Sequence, residues 1–157
     1  MQPTVMAYPD DLQHLSTIYL PWECPPLSMN DSSPASRGAV WGVAAKKKDI
    51  QQAVHLLARN VRMPKDAGYL LVQMHYRPRD NRARDTDNLA ATLKPVCDAL
   101  SRGSKKIPGL GLVEDDTPRF MGKPEAIIWP AEKGKRGQLW VDLWVAEKAP
   151  YPYGLRS

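Results

Sequence analysis

The chain has 157 residues, enough for one domain with a real core, and its 22 Lys and Arg against 17 Asp and Glu give a formal net charge of +5. That balance favours a polyanionic partner without identifying one. No stretch reaches the length of a membrane-spanning helix, MQPTVMAYPDD lacks the basic and apolar regions of a secretory signal, and Cys24 and Cys97 show no metal-type or disulfide spacing, so a reducing compartment, the cytoplasm, is expected.

In chain order, residues 1–14 read as an irregular lead-in, 15–148 as the folded domain and 149–157 as an irregular tail. Leu15 to Leu20 is β-rich and stops at Pro21. From Pro21 to about Val43, Pro, Ser, Asn and Gly give neither a strand nor a helix period, which predicts a long loop, a candidate arm facing DNA. Ile50, Val54, Leu57 and Val61 recur at helical spacing, predicting an amphipathic helix from Lys48 to about Arg62. Tyr69 to Tyr76 is apolar on both faces and reads as a central strand ended by Pro78. Leu89, Leu93, Val96 and Leu100 predict a second helix, with Asp87 or Asn88 as its N-cap and a kink or break at Pro95. Ala126 to Trp129 and Leu139 to Val145, joined by the Lys/Gly loop from Pro130 to Gly137, read as a β-hairpin. The sum is an α+β domain, a mixed β-sheet with helices packed on one face.

Chemistry concentrates between Arg77 and Asp116. Asp85 and Asp87 are two apart, so an extended backbone puts both carboxylates on one side, beside a helix N-terminus whose dipole favours negative charge. In Glu114-Asp115-Asp116 an extended backbone likewise groups Glu114 with Asp116 and turns Asp115 away. Carboxylate oxygens without His or Cys partners suit the hard cations Mg²⁺ or Mn²⁺. The plainer reading makes Asp87 a helix cap and Asp115-Asp116 a turn before Pro118. It is the better one for any single acid, whereas convergence of the acids would call for a cation. Arg77, Arg79, Arg82 and Arg84 are candidate phosphate contacts, or else a solvated basic loop. His14, His55 and His75 form no ligand pair, and there is no P-loop, Gly-x-Ser-x-Gly or dinucleotide fingerprint.

The run Arg84-Asp85-Thr86-Asp87-Asn88-Leu89, then Lys94-Pro95-Val96-Cys97-Asp98-Ala99-Leu100, then Val113-Glu114-Asp115-Asp116, resembles the RusA-type Holliday-junction endonucleases, whose pattern is D-x-D-N, a Lys, D-A-L, a Gly-containing turn and D-D. Leu20-Pro21-Trp22, Pro25-Pro26 and Ser28-Met29-Asn30 resemble that family's opening motif with residues inserted. The likeness spans about Leu15 to Glu147. It implies a homodimeric, Mg²⁺- or Mn²⁺-dependent enzyme that cuts four-way DNA junctions with symmetric nicks, with Asp85, Asp87 and Asp116 as essential metal-binding acids and Lys94 as the catalytic lysine. Glu114, Asp115, Asn88 and Asn30 are secondary candidates. The chain departs from the pattern in its stretched opening motif and in Lys94, seven residues after Asp87 where about four are expected, as though Ala90-Ala91-Thr92 were inserted.

The leading expectation is therefore a structure-selective DNA endonuclease in which Mg²⁺ activates water and Lys94 neutralises charge on the phosphate. The alternative is a catalytically silent branched-DNA-binding protein of the same fold, which would gain nothing from acids beside phosphates. A small-molecule metal phosphohydrolase leaves the arginine-rich surroundings unexplained.

Overall fold

The computed structural model describes residues 11–28 and 37–150, with side chains from 42 onward in the second segment. Its centre is β2, Tyr69–Arg77, buried at every position but the last. A strand apolar on both faces has to be covered on both, and this one also takes partners along both edges. On one edge β5, Gln138–Ala146, runs antiparallel from Tyr69↔Ala146 to Arg77↔Gln138. Beyond it β1, Gln13–Leu20, pairs antiparallel with β5, with an irregularity between His14 and Ser16. The other edge of β2 carries two short parallel strands, β3 at Met121–Gly122 and β4 at Ile127–Ile128. Two helices, α1 at Arg37–Leu57 and α2 at Asp87–Leu100, complete an α+β fold with a mixed sheet.

The period-2 pattern decides the faces. Leu70, Val72, Met74 and Tyr76 of β2, with Leu139, Val141, Leu143 and Val145 of β5, share one core with Ile50, Val54, Leu89, Leu93, Val96 and Leu100 of the helices. Each such side chain taken out of water contributes about 1.5–3 kcal/mol. Cys97 is a free thiol in this core, and burial pushes its pKa up to about 12. The opposite face carries His14, Trp140, Asp142 and Trp144. There Trp129 Nε1 donates to His75 Nδ1 at 3.0 Å, which leaves the His75 proton on Nε2, 2.9 Å from Asp142 Oδ2. His75 is thus held within the sheet face by two partners, whereas His55 is exposed.

Several predictions from the sequence change. Helix α1 begins at Arg37, inside the segment read as loop to Val43; Ala39, Ala44 and Ala45 favour helix, and Gly38 and Gly42 hid its start. It ends at Leu57, short of the predicted Arg62. Its buried line is Ile50 and Val54, continued by Ala58 just past its end, so Leu57 is 47% exposed. The predicted hairpin does not form: β4 and β5 lie on opposite edges of β2, and residues 130–137 pass round its end. Helix α2 runs through Pro95 without a break, and its N-cap is Thr86, one residue earlier than predicted. Strand β1 starts at Gln13, within the predicted lead-in, while residues 1–10 and 151–157 lie outside the described residues. No helix among the described residues is long and apolar enough to cross a membrane.

Candidate functional site

Helix α2 organises the candidate site. Asp87, Lys94 and Asp98 share one face of it, Asp87 lying about 10 Å along the axis from Lys94. Past its C-terminus the chain turns back. Leu110 N–H donates to Ala99 O at 2.7 Å, Gly111 N–H to Ser101 O at 2.8 Å and Leu112 N–H to Leu100 O at 2.9 Å, so the returning strand of chain caps carbonyls the helix leaves open. Gly109 permits this approach, since a Cβ there would lie 2.0 Å from Ser101 O. Buried Val113 anchors the next stretch, and Glu114-Asp115-Asp116 follows alongside α2.

There the second acidic motif meets the lysine of the first. Lys94 Nζ lies 2.5 Å from Asp116 Oδ2 and 2.9 Å from Asp98 Oδ1. Lys123, just after β3, brings a second ammonium to the same Asp116 oxygen at 3.2 Å. Hydrogen bonds from Lys94 and then Lys123 outweigh partial burial and lower the Asp116 carboxyl to a pKa of about 2. Lys94 moves the opposite way, raised chiefly by its bond to Asp116. Asp115 is turned onto its own backbone, its Oδ1 accepting Asp116 N–H at 2.8 Å, and Glu114 is exposed. Asp98, Glu114, Asp115 and Asp116 line one depression together with Gln51 of α1 and Arg102.

The first acidic motif lies at the other end of α2. Asp85 Oδ1 accepts Asp87 N–H at 3.0 Å, so Asp85 does the capping that Thr86, the N-cap residue, does not. Asp85 and the half-buried Asn88 line a separate depression with Pro25, Ser28, Tyr76 and Arg84. Asn30 lies outside the described residues. A link between the two motifs comes from the gap between β3 and β4. Gln73 fills that gap, its Nε2 donating to Met74 O and Glu125 O at 2.9 Å each. The interrupted edge thereby supplies Lys123 to Asp116 and Glu125 to the hydroxyl of Thr86.

The predicted acids are therefore brought to one helix but not to one point. Among the described residues no three His, Cys, Asp or Glu side chains converge in a group able to hold a metal ion. The donors are of the right kind for a hard cation, yet the Asp116 carboxylate is engaged by two ammonium groups. As arranged, the set does not fit a metal ion. The arginines differ among themselves. Asp80 receives Arg82 Nη2 at 2.9 Å and Arg84 Nη2 at 2.7 Å, and these bonds hold its carboxyl well below the ordinary range. Arg84 also donates to the Asp80 and Arg82 carbonyls and sits 5.9 Å over the Tyr76 ring. Arg77 is half-buried, 3.8 Å from Glu132, and Arg79 projects furthest, with its Nε 3.9 Å from Asp80. Asp80 was legible as the acid among these arginines; Lys123 and Glu125 carried no signal, because only the broken edge strand brings them in.

Compared with known proteins, the chain matches no family model and no curated protein.

Proposed function

We propose that the chain is a RusA-type structure-selective DNA endonuclease of the cytoplasm, acting as a homodimer with Mg²⁺ or Mn²⁺ to resolve four-way junctions by symmetric nicking. One observation carries the reading: Lys94 and Asp116, 22 residues apart and in different motifs of the resemblance, are in direct contact. The contact brings the second acidic motif to the lysine of the first. Lys94 is the group that would neutralise charge developing on a phosphate, and Arg79 is the freest of the four arginines to hold the flanking backbone. Asp85, Asp87 and Asp116 are the carboxylates that the resemblance assigns to the metal, and in the structure they share α2 without converging on one point. A two-fold protein suits a four-way junction because the junction presents matched strands related by an approximate two-fold axis.

A second reading, a binding protein for branched DNA that does not cut, is favoured by the engagement of Asp116 with ammonium groups. One experiment separates them. A labelled synthetic four-way junction is incubated with the protein in Mg²⁺, in Mn²⁺ and in EDTA, and bound species and products are resolved. Paired nicks that need the metal support the endonuclease; a metal-independent shift without products supports the binding protein; neither shift nor nicks rejects both.

A further inference from the structure

Helix α1 changes character at Ile50. Ile50 and Val54 are fully buried, whereas every residue from Ala44 to Asp49 is exposed. Two turns before Ile50, the partly buried Val43 again packs against the core. At 3.6 residues per turn, Lys47 falls on the line of Val43, Ile50 and Val54, within about 60° of each. A lysine run that was only a solvated face would sit opposite that line. An exposed lysine on it marks a place where the body withdraws from beneath the helix.

That place adjoins the candidate site. Gln51, four residues after Lys47 and three after Lys48, lines the depression that also holds Asp98, Arg102, Glu114, Asp115 and Asp116. Residues three and four apart are neighbours on a helix, so both lysines stand on the depression's side of α1, about 5 Å along its axis. Lys46, five before Gln51, lies away from that side, and so does Asp49, the one acid of the helix.

The charges around the depression decide what this rim can do. Asp98, Glu114, Asp115 and Asp116 face Arg102 and the two ammonium groups on Asp116, those of Lys94 and Lys123, which leaves one negative charge over. On that balance the depression does not draw in a phosphate. Lys47 and Lys48 reverse its sign, and neither is paired with an acid among the described residues. Resting on the endonuclease reading above, we propose that Lys47 and Lys48 form a phosphate-holding rim that seats the backbone of a duplex arm of the junction beside the depression. The contact is one of charge and needs no metal.

The test follows a labelled four-way junction binding to the full chain in EDTA, by fluorescence anisotropy at several salt concentrations, with melting measured in parallel. Lys47→Gln/Lys48→Gln should lower the slope of log affinity against log salt by about 2, roughly 0.9 for each phosphate given up, and leave melting unchanged. Lys46→Gln should change the slope little. Lys65→Gln/Lys148→Gln, which removes two exposed lysines from a separate depression, should keep it near wild type. An equal fall in both double variants overturns the rim, because net charge alone would then set the slope. A Lys46→Gln effect as large as that of Lys47→Gln overturns it too. Nicking in Mg²⁺ judges the underlying reading separately. A wild type that binds and nicks the junction, with a slope that Lys47→Gln/Lys48→Gln retains, rejects the rim alone. A wild type that neither binds nor nicks rejects the rim and the reading together.

Discussion

At the scale of single residues, Lys94 decides most. The resemblance makes it the catalytic lysine, while its i,i+4 spacing to Asp98 suits a plain helix ion pair, and the side chain makes that contact while also meeting Asp116. A lysine paired only with Asp98 would be worth a few tenths of a kcal/mol. If its ammonium serves the phosphate, Lys94→Ala should slow single-turnover junction cleavage by about 10²-fold or more, with a modest fall in melting temperature because Asp116 loses its main hydrogen-bond donor. An unchanged rate would reduce Lys94 to a surface ion pair. Asp116 gives a prediction in pH. Its carboxyl is lowered from an ordinary 3.8 to about 2, so the folded state binds this proton less readily than the unfolded one. That stabilisation is fully present above about pH 4 and is lost as the pH falls through about 2. Asp142 shares the window: burial pushes it up, but bonds from His75, Thr17 and His14 prevail and bring it to about 2. Asp116→Asn should therefore flatten, without abolishing, the acid limb of a stability-against-pH curve. A limb unchanged in the variant would mean that the lysine contacts do not persist in solution.

At the scale of elements, the sequence was most legible where a period ran long enough to be counted. The alternation of β5 and the double-sided apolarity of β2 both appear as read, and so does the stripe of α2. What could not be read was pairing. Ile127 and Ile128 form a strand too short to carry a pattern, and nothing local says that it joins β2 in parallel on the edge away from β5. The start of α1 was hidden because its first turns contain glycines and the segment before it is rich in Pro and Ser. The acids were legible as residues but not as an arrangement, since their positions depend on the return loop at Gly109 and on the gap between β3 and β4. Thr92 shows how a short segment is held without period or motif. Its Oγ1 accepts Leu27 N–H at 3.3 Å and donates to Leu27 O at 3.0 Å, pinning the chain after β1 onto α2 within the core. Thr92→Val keeps the volume and leaves both Leu27 groups without this partner. It should cost roughly 1–3 kcal/mol in a denaturant titration, and a midpoint equal to wild type would show that the segment is held by packing alone.

At the scale of the molecule, the excess of positive charge has to be sorted into charge already used and charge available. The cluster from Arg77 to Arg84 looked from the sequence like one phosphate-binding surface, yet Arg82 and Arg84 converge on Asp80 and Arg77 leans on Glu132. A guanidinium committed to a carboxylate and two carbonyls, as Arg84 is, does more to shape the loop leading into Asp85 than to attract DNA. Arg79, 76% exposed with a single long contact to Asp80, is the one best placed to exchange that contact for a phosphate. Binding to a four-way junction in EDTA should weaken steeply with salt, because each phosphate neutralised releases counterions and adds about 0.9 to the slope of log affinity against log salt. Arg79→Ala should lower that slope by about 1 and leave the melting temperature unchanged. Arg84→Ala should do the reverse, lowering the melting temperature by removing the bonds from Arg84 to the Asp80 carboxylate and to two loop carbonyls, while changing the slope little. Anisotropy titrations at several salt concentrations, with melting curves on the same preparations, read both quantities. If the two variants change the slope equally, the division of this cluster into structural and available arginines is wrong, and if the wild-type slope is flat, the phosphate surface itself is absent.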